Sequence, residues 1–148
     1  MFTRLLLHVD DDPDEAFLLE RALRRAGSNW AFQHVPGGHA ALEYLTRAKV
    51  GEMPRPDLLV LDVRMSIMGG MEVLEWVSAN APEIPAVMLS SSELLSDRLR
   101  ARNLGSKGYF VKTPDFADVL EFLREWDKTS LATPLMAATA RAPTPSAS

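Results

Sequence analysis

Cysteine is absent from the 148 residues, which excludes thiolate catalysis, thiol redox chemistry and sulfur-ligated zinc, and argues against a disulfide-stapled secreted scaffold. Long apolar runs are missing too. No stretch of about 18 apolar residues exists to span a bilayer, and the opening "MFTRLLLHVDDDPDE" meets three acids too early for the apolar region of a signal peptide. The expectation is a soluble, cytoplasmic protein with no membrane partner. A basic stripe interleaved with aromatics is likewise lacking: 16 Lys and Arg stand against 20 Asp and Glu, a net charge of −4. No nucleic-acid surface is therefore expected, and the mild acidity reads as plain solubility. A chain of this length buries roughly two thirds of its unfolded surface, enough for one core without metal or disulfide staples.

What the sequence does contain is a regular alternation of short apolar runs and amphipathic stretches, the pattern of repeated strand-helix units on a parallel sheet. "RLLLHV" reads as a first buried strand. Pro13 then opens a helix, with Leu18, Leu19, Ala22, Leu23 and Ala26 on one face and Gly27 as its stop. "WAFQHV" alternates more than the other strands and suits a sheet edge; the helix after it carries a stripe of Ala41, Leu42 and Leu45. "DLLVL" is the third strand, followed by a helix burying Val73, Leu74 and Val77. "PAVMLS", the helix "ELLSDRLRARN", "KGYFV", and a last helix with Phe116, Val119, Leu120, Leu123 and Trp126 inward complete an α/β domain over 1–128. From Thr129 the chain is rich in Ala, Thr, Pro and Ser without period, so 129–148 reads as a disordered tail or a partner-binding arm.

In an open parallel sheet, ligands bind beyond the carboxyl ends of the strands. The first strand ends in Asp10 and Asp11, the third in Asp62, the fourth in Ser90 and the fifth in Lys112. Three acids in one crevice repel, and each needs a raised pKa or a cation to be tolerated. With only oxygen donors and no His or Cys beside them, a hard ion such as Mg2+ resolves the conflict. A carboxylate in that setting can act as a nucleophile toward phosphorus, with the metal, the ammonium and the hydroxyl binding the transferred oxygens.

"HVDDDP", "LLVLDVRMSIMGG", "PAVMLSSSE" and "GYFVKTPD", in this order and at these separations, resemble the receiver domain of two-component response regulators from Leu5 to Trp126. The resemblance implies a flavodoxin-like, doubly wound five-stranded parallel sheet of order 2-1-3-4-5 with five helices. It implies that Asp62 accepts a phosphoryl group from a histidine kinase's phosphohistidine. Mg2+ would be bound by Asp11, Asp62 and the backbone carbonyl of Arg64, with Asp10 helping through water. Lys112 would contact the carboxylate and then the phosphate, Ser90 would bond a phosphate oxygen, and Tyr109 would be the switch aromatic that follows it.

The chain departs from the family at several positions, Ser91 in place of a small apolar residue among them. Met65-Ser66 stands for Met-Pro, Gly69-Gly70 for Asp-Gly or Asn-Gly, and Ser90 for the commoner threonine. Lys112 is followed by Thr113 and only then by Pro114, where the family has a proline in a cis peptide. A cis bond before threonine costs about 2.5–4 kcal/mol, so either that strain is tolerated or the loop is rearranged. Thr113 as cap and Pro114 as first helical residue fit either arrangement.

Asp12 before Pro13 reads as a helix cap. His8, His34 and His39 lie apart in sequence without carboxylate spacing and are expected to be structural or solvated. Phe17, among Glu20, Arg21 and Arg24, is an exposed aromatic and a candidate for kinase docking. The leading reading is a single-domain response regulator acting through protein partners, a phosphorelay or a homodimer. The dimer face would be the fourth helix, fifth strand and fifth helix, or the C-terminal arm. Stand-alone regulators that accompany phytochrome-type kinases share the look of "FVKTPDFADVLEFLREW" followed by an apolar tail. An enzyme of the dehalogenase type needs a second acid two residues after its nucleophile, and Arg64 stands there instead. A degenerate receiver serving as a phosphorylation-independent interaction module is the remaining alternative.

Overall fold

Leu58, Leu59, Val60 and Leu61 are all at 0% exposure, the result expected of a run with no polar side chain that must be covered on both faces. The computed structural model describes residues 4–140, with side chains for 4–128. Its elements are β1 (Arg4–Val9), α1 (Pro13–Arg25), β2 (Trp30–Val35), α2 (Gly38–Lys49), β3 (Leu58–Asp62), α3 (Gly70–Asn80), β4 (Ala86–Ser90), α4 (Leu95–Asn103), β5 (Gly108–Val111) and α5 (Ala117–Ala140). The strands are parallel and lie in the order β2-β1-β3-β4-β5. This is the doubly wound architecture expected, with alternating β2 at an edge.

Alternation along each strand divides the core into two layers. Leu7, Val9, Leu59, Leu61 and Met88 meet Ala41 and Leu45 of α2, Val73, Leu74 and Val77 of α3, and Ala101 of α4. On the other face Leu6, Leu58, Val60, Val87 and Leu89 meet Leu19 and Leu23 of α1 and Val119 and Leu123 of α5. Fully burying one such aliphatic side chain contributes about 1.5–3 kcal/mol. The two-sided cover therefore makes the central strands a firm platform for whatever stands at their ends.

Three helices differ in detail from the expectation. Only Ala16, Leu19 and Leu23 of α1 are buried; Leu18 is 41% exposed and Ala26 is exposed too, because successive helical residues point about 100° apart. In α2, Tyr44 is buried beside Ala41 and Leu45 while Leu42 is only partly so, and the Tyr44 hydroxyl donates to the Pro54 carbonyl at 2.8 Å. The last helix begins at Ala117 rather than Pro114. Thr113 and Pro114 belong instead to a turn closed by the Phe116 N–H on the Thr113 carbonyl at 3.1 Å. Phe116 takes φ 54° there and buries its ring to 4% exposure, an apolar gain that offsets the left-handed backbone. No cis peptide occurs among the described residues, so Lys112–Thr113 is trans and the loop is the rearranged form. Backbone of α5 continues over 129–140, and the expected tail lies otherwise outside the described residues.

At the opposite edge, Trp30 is 1% exposed and its indole N–H donates to Asp127 Oδ1 at 3.0 Å. Arg4 Nη1 reaches the same oxygen at 3.4 Å. Asp127→Ala removes the acceptor of a buried donor and is expected to cost about 1–2 kcal/mol. The check is a lower urea midpoint at unchanged m-value; an unmoved midpoint would mean water replaces the carboxylate.

Candidate functional site

Asp10 follows the last residue of β1, and its N–H donates to the Val35 carbonyl at 3.2 Å, which extends the ladder by one bond. Asp62 is the last residue of β3. One carboxylate oxygen from each of Asp10, Asp11 and Asp62 lies within 4.8 Å of the other two. Asp10 and Asp62 are buried, at 0% and 5% exposure, while Asp11 is exposed and forms the open side of the cluster. Asp12 is the N-cap of α1, its Oδ1 accepting from the Asp14 N–H at 2.9 Å.

Lys112 brings the positive charge. Its Nζ lies 3.4 Å from Asp62 Oδ1, 3.5 Å from Asp10 Oδ2 and 3.6 Å from Glu15 Oε1. Burial pulls the ammonium pKa down, but Asp62, Asp10 and Glu15 outweigh it, and the net shift is upward. Asp62 is pushed up to about 7 by burial and then by the charge of Asp10, against the opposing pull of Lys112 and of the Arg64 backbone. One ammonium thus leaves the three strand-end acids under-compensated. The donor set is oxygen throughout, one side is open, and the charge deficit is negative; these residues fit a hard divalent cation.

Ser90, at the end of β4, is fully buried, and its Oγ accepts from the Ser92 N–H at 3.0 Å. It follows Leu89, the register partner of Asp62. Tyr109 on β5 turns its hydroxyl to the Ser92 carbonyl at 3.0 Å, under the guanidinium of Arg98, which lies 4.9 Å from the ring centre. The β4–α4 loop therefore joins Ser90 to Tyr109 through one residue. Of the sequence-picked residues, the three acids and Lys112 come together directly; Ser90 and Tyr109 are linked through Ser92.

The family model for the response regulator receiver domain matches residues 6–142. The chain belongs to this family. A probable methanogenesis regulatory protein, FilR2 of Methanothrix harundinacea, is 31% identical over 123 residues, covering 82% of this chain and 79% of that protein. The chain spans less than half, 47% and 42%, of two mycobacterial transcriptional regulators it also matches, at 30% and 33% identity. Among solved structures, a bacteriophytochrome response regulator, RtBRR, is 32% identical with TM-score 0.69, covering 82% of this chain and 75% of that one. The Mn2+-bound form of response regulator Rcp1, 24% identical with TM-score 0.70 and coverages of 83% and 91%, shares the fold.

Within this receiver the loop after β3 is well tied despite its missing proline. The Ser66 N–H donates to Asp11 Oδ2 at 2.9 Å, the Gly69 N–H to Glu72 Oε1 at 2.8 Å, and the Gly70 N–H to the Val63 carbonyl at 3.2 Å. Sequence reasoning missed three participants. Glu15 is a first-turn acid of α1, a position where an acid is ordinary and gives no sign of its contact with Lys112. Asp97 of α4 holds Arg64 Nη2 at 2.8 Å across 33 residues and takes a bond from Ser92 Oγ at 3.3 Å. The third is His8. Its Nε2 lies 3.5 Å from Asp10 Oδ2, and its ring centre lies 5.8 Å from that of His34 with the planes tilted by 42°, so two of the histidines expected to stand apart are neighbours. The signal was the spacing of two in "HVD", which puts His8 and Asp10 on one face of a strand.

Proposed function

We propose that this receiver takes a phosphoryl group from a histidine kinase onto Asp62 and thereby switches a protein-binding surface. The observation that carries the reading is the packing of Asp10, Asp11 and Asp62 within 4.8 Å, with Lys112 Nζ 3.4 Å from Asp62 Oδ1. An Asp62 oxygen attacks phosphorus, an O–P bond forms, the P–N bond to the kinase imidazole breaks, and the imidazole leaves with the electron pair and takes up a proton. Asp11, Asp62 and the Arg64 carbonyl would hold Mg2+, with Asp10 acting through water; the ion supplies charge neutralisation for the transferred oxygens. Lys112 and Ser90 bind phosphoryl oxygens. Moving the Ser90 hydroxyl breaks its bond to Ser92 and frees the carbonyl partner of Tyr109, which carries the signal outward. Slow hydrolysis of the aspartyl phosphate is the only turnover expected, so the chain is a switch and not an enzyme.

In this reading residues 1–128 are the receiver and 129–148 an arm, in a cytoplasmic protein. The likeness to a bacteriophytochrome response regulator supports a phytochrome-type kinase as donor. The output is a downstream protein or a homodimer through α4, β5 and α5 or the arm; the exposed Leu94, Leu95 and Leu99 favour that face. Intact acids and Lys112 weigh against a phosphorylation-independent interaction module.

The test is incubation with Mg2+ and acetyl phosphate followed by intact mass: one added phosphoryl group supports the switch, and no adduct at any Mg2+ concentration leaves the interaction module. Lys112→Ala is expected to keep Mg2+ affinity within about threefold, because the ligands are carboxylates. It should lose the dimerisation or partner binding that phosphorylation induces. Analytical ultracentrifugation with and without acetyl phosphate reads this, and an undiminished response would remove Lys112 from the switch.

A further inference from the structure

His8 is at 0% exposure, and neither of its ring nitrogens has a hydrogen-bond partner. Buried polar atoms are nearly always paired, and an exception calls for a reason. An imidazole always carries at least one ring N–H, so this buried side chain has a proton to donate.

An acceptor stands close to that N–H. Asp10 Oδ2 lies 3.5 Å from His8 Nε2 and 3.5 Å from Lys112 Nζ, too far for a firm bond to either. Every other polar atom of Asp10 is engaged. Its N–H bonds to Val35, its Oδ1 accepts from the Asp12 N–H at 2.9 Å, and its carbonyl meets His34 Nε2 at 2.7 Å. A carbonyl can only accept, so His34 carries its proton on Nε2. Oδ2 is thus the one atom of Asp10 contested by two donors, and one of them, Lys112, is shared with Asp62.

We propose that His8 is a positioning residue: its Nε2–H takes over Asp10 Oδ2 when Lys112 turns from Asp10 to the phosphoryl group on Asp62. This rests on the function proposed above. Without a substitute donor, the departure of Lys112 would leave a buried carboxylate half-anchored. An imidazole N–H within reach of the same oxygen would keep it anchored.

The experiment compares the Mg2+ dissociation constant, by calorimetry on the full chain, in wild type, His8→Phe, Lys112→Ala and the double variant. His8→Phe alone should change it little; in the Lys112→Ala background it should weaken binding about tenfold. His8→Gln, which keeps an N–H donor, should restore the affinity in that background. The melting temperature of His8→Phe should not fall, because two unpartnered buried nitrogens are removed. A second measurement needs no His8 variant. In wild-type protein the His8 Nε2–H proton resonance should move downfield when Mg2+ and beryllofluoride, a phosphoryl mimic, are added.

An equal effect of His8→Phe in both backgrounds, or a stationary His8 resonance, would overturn the inference while phosphoryl uptake by the wild type kept the proposed function intact. A wild type that binds no Mg2+ and takes no phosphoryl group would overturn both.

Discussion

Asp62→Asn is expected to show no mass adduct with acetyl phosphate and Mg2+, and to be more stable than the wild type at neutral pH in the absence of divalent ions. The loss of uptake follows because an amide oxygen is a poor nucleophile and no other carboxylate sits within Lys112's reach on β3. The gain in stability follows from burial. The Asp62 carboxyl is pushed up to about 7, chiefly by burial and then by Asp10, whereas in the unfolded chain it titrates near the ordinary 3.8. Between those values the native state holds a proton that the unfolded state has released. Stability therefore falls as pH rises through that window, by roughly 2–4 kcal/mol in all. Asn at 62 has no such proton, so the difference between variant and wild type should be small near pH 4 and widen toward pH 7.5. Urea denaturation at several pH values reads this difference, from which other titrating groups cancel. Parallel curves would show that Asp62 is not destabilised by its surroundings. Added Mg2+ should narrow the gap at pH 7.5 by binding the native wild type.

Gly70→Ala should be the most damaging change of one methyl group near the site. A Cβ built on Gly70 overlaps the carbonyl oxygen of Asp62, stands 2.9 Å from its carbonyl carbon and 3.1 Å from Met88 Cε. Two of those three atoms are backbone and cannot rotate away. Relief requires moving α3 or the end of β3, at about 2–3 kcal/mol for overpacking of this kind, which corresponds to roughly 5–10 °C in melting temperature. Displacing Asp62 by about 1 Å should also slow phosphorylation by about a hundredfold. Gly69→Ala is the control: its added Cβ would stand 3.0 Å from the Val63 carbonyl oxygen at an ordinary extended backbone, φ −81°. It should cost less in both measures. Equal behaviour of the two variants, or a Gly70→Ala melting point within a degree or two of wild type, would sink the argument.

The strands were legible because each is a short aliphatic run between turn residues, and the site was legible because parallel strands deliver their last residues to one edge. Asp10, Asp11, Asp62 and Lys112 could therefore be placed together from the sequence. What failed was of another kind. Thr113 and Pro114 are good local start signals for a helix, but burying Phe116 outweighed them and moved the start to Ala117. Leu18 was placed on the apolar face of α1 with Leu19 and Leu23, yet at 41% exposure it faces water. The bond between Arg64 and Asp97 joins distant loops and leaves no periodic trace, so nothing in the chain could announce it. His8 was different again: its spacing from Asp10 stands in the sequence, but a histidine inside an aliphatic strand has the same pattern as a structural core residue.

The substitution of serine for proline at 66 reaches further than loop order. A proline has no N–H, so the 2.9 Å bond from Ser66 to Asp11 Oδ2 exists only because the proline is gone. Two residues earlier the same strip of backbone is tethered through Arg64 to Asp97 on α4. Asp11 and the start of α4 are thus the two ends of one short mooring line. A cation that drew Asp11 toward the crevice would pull on that line before any phosphorus arrived, a route by which the surface of α4 would register ion occupancy alone.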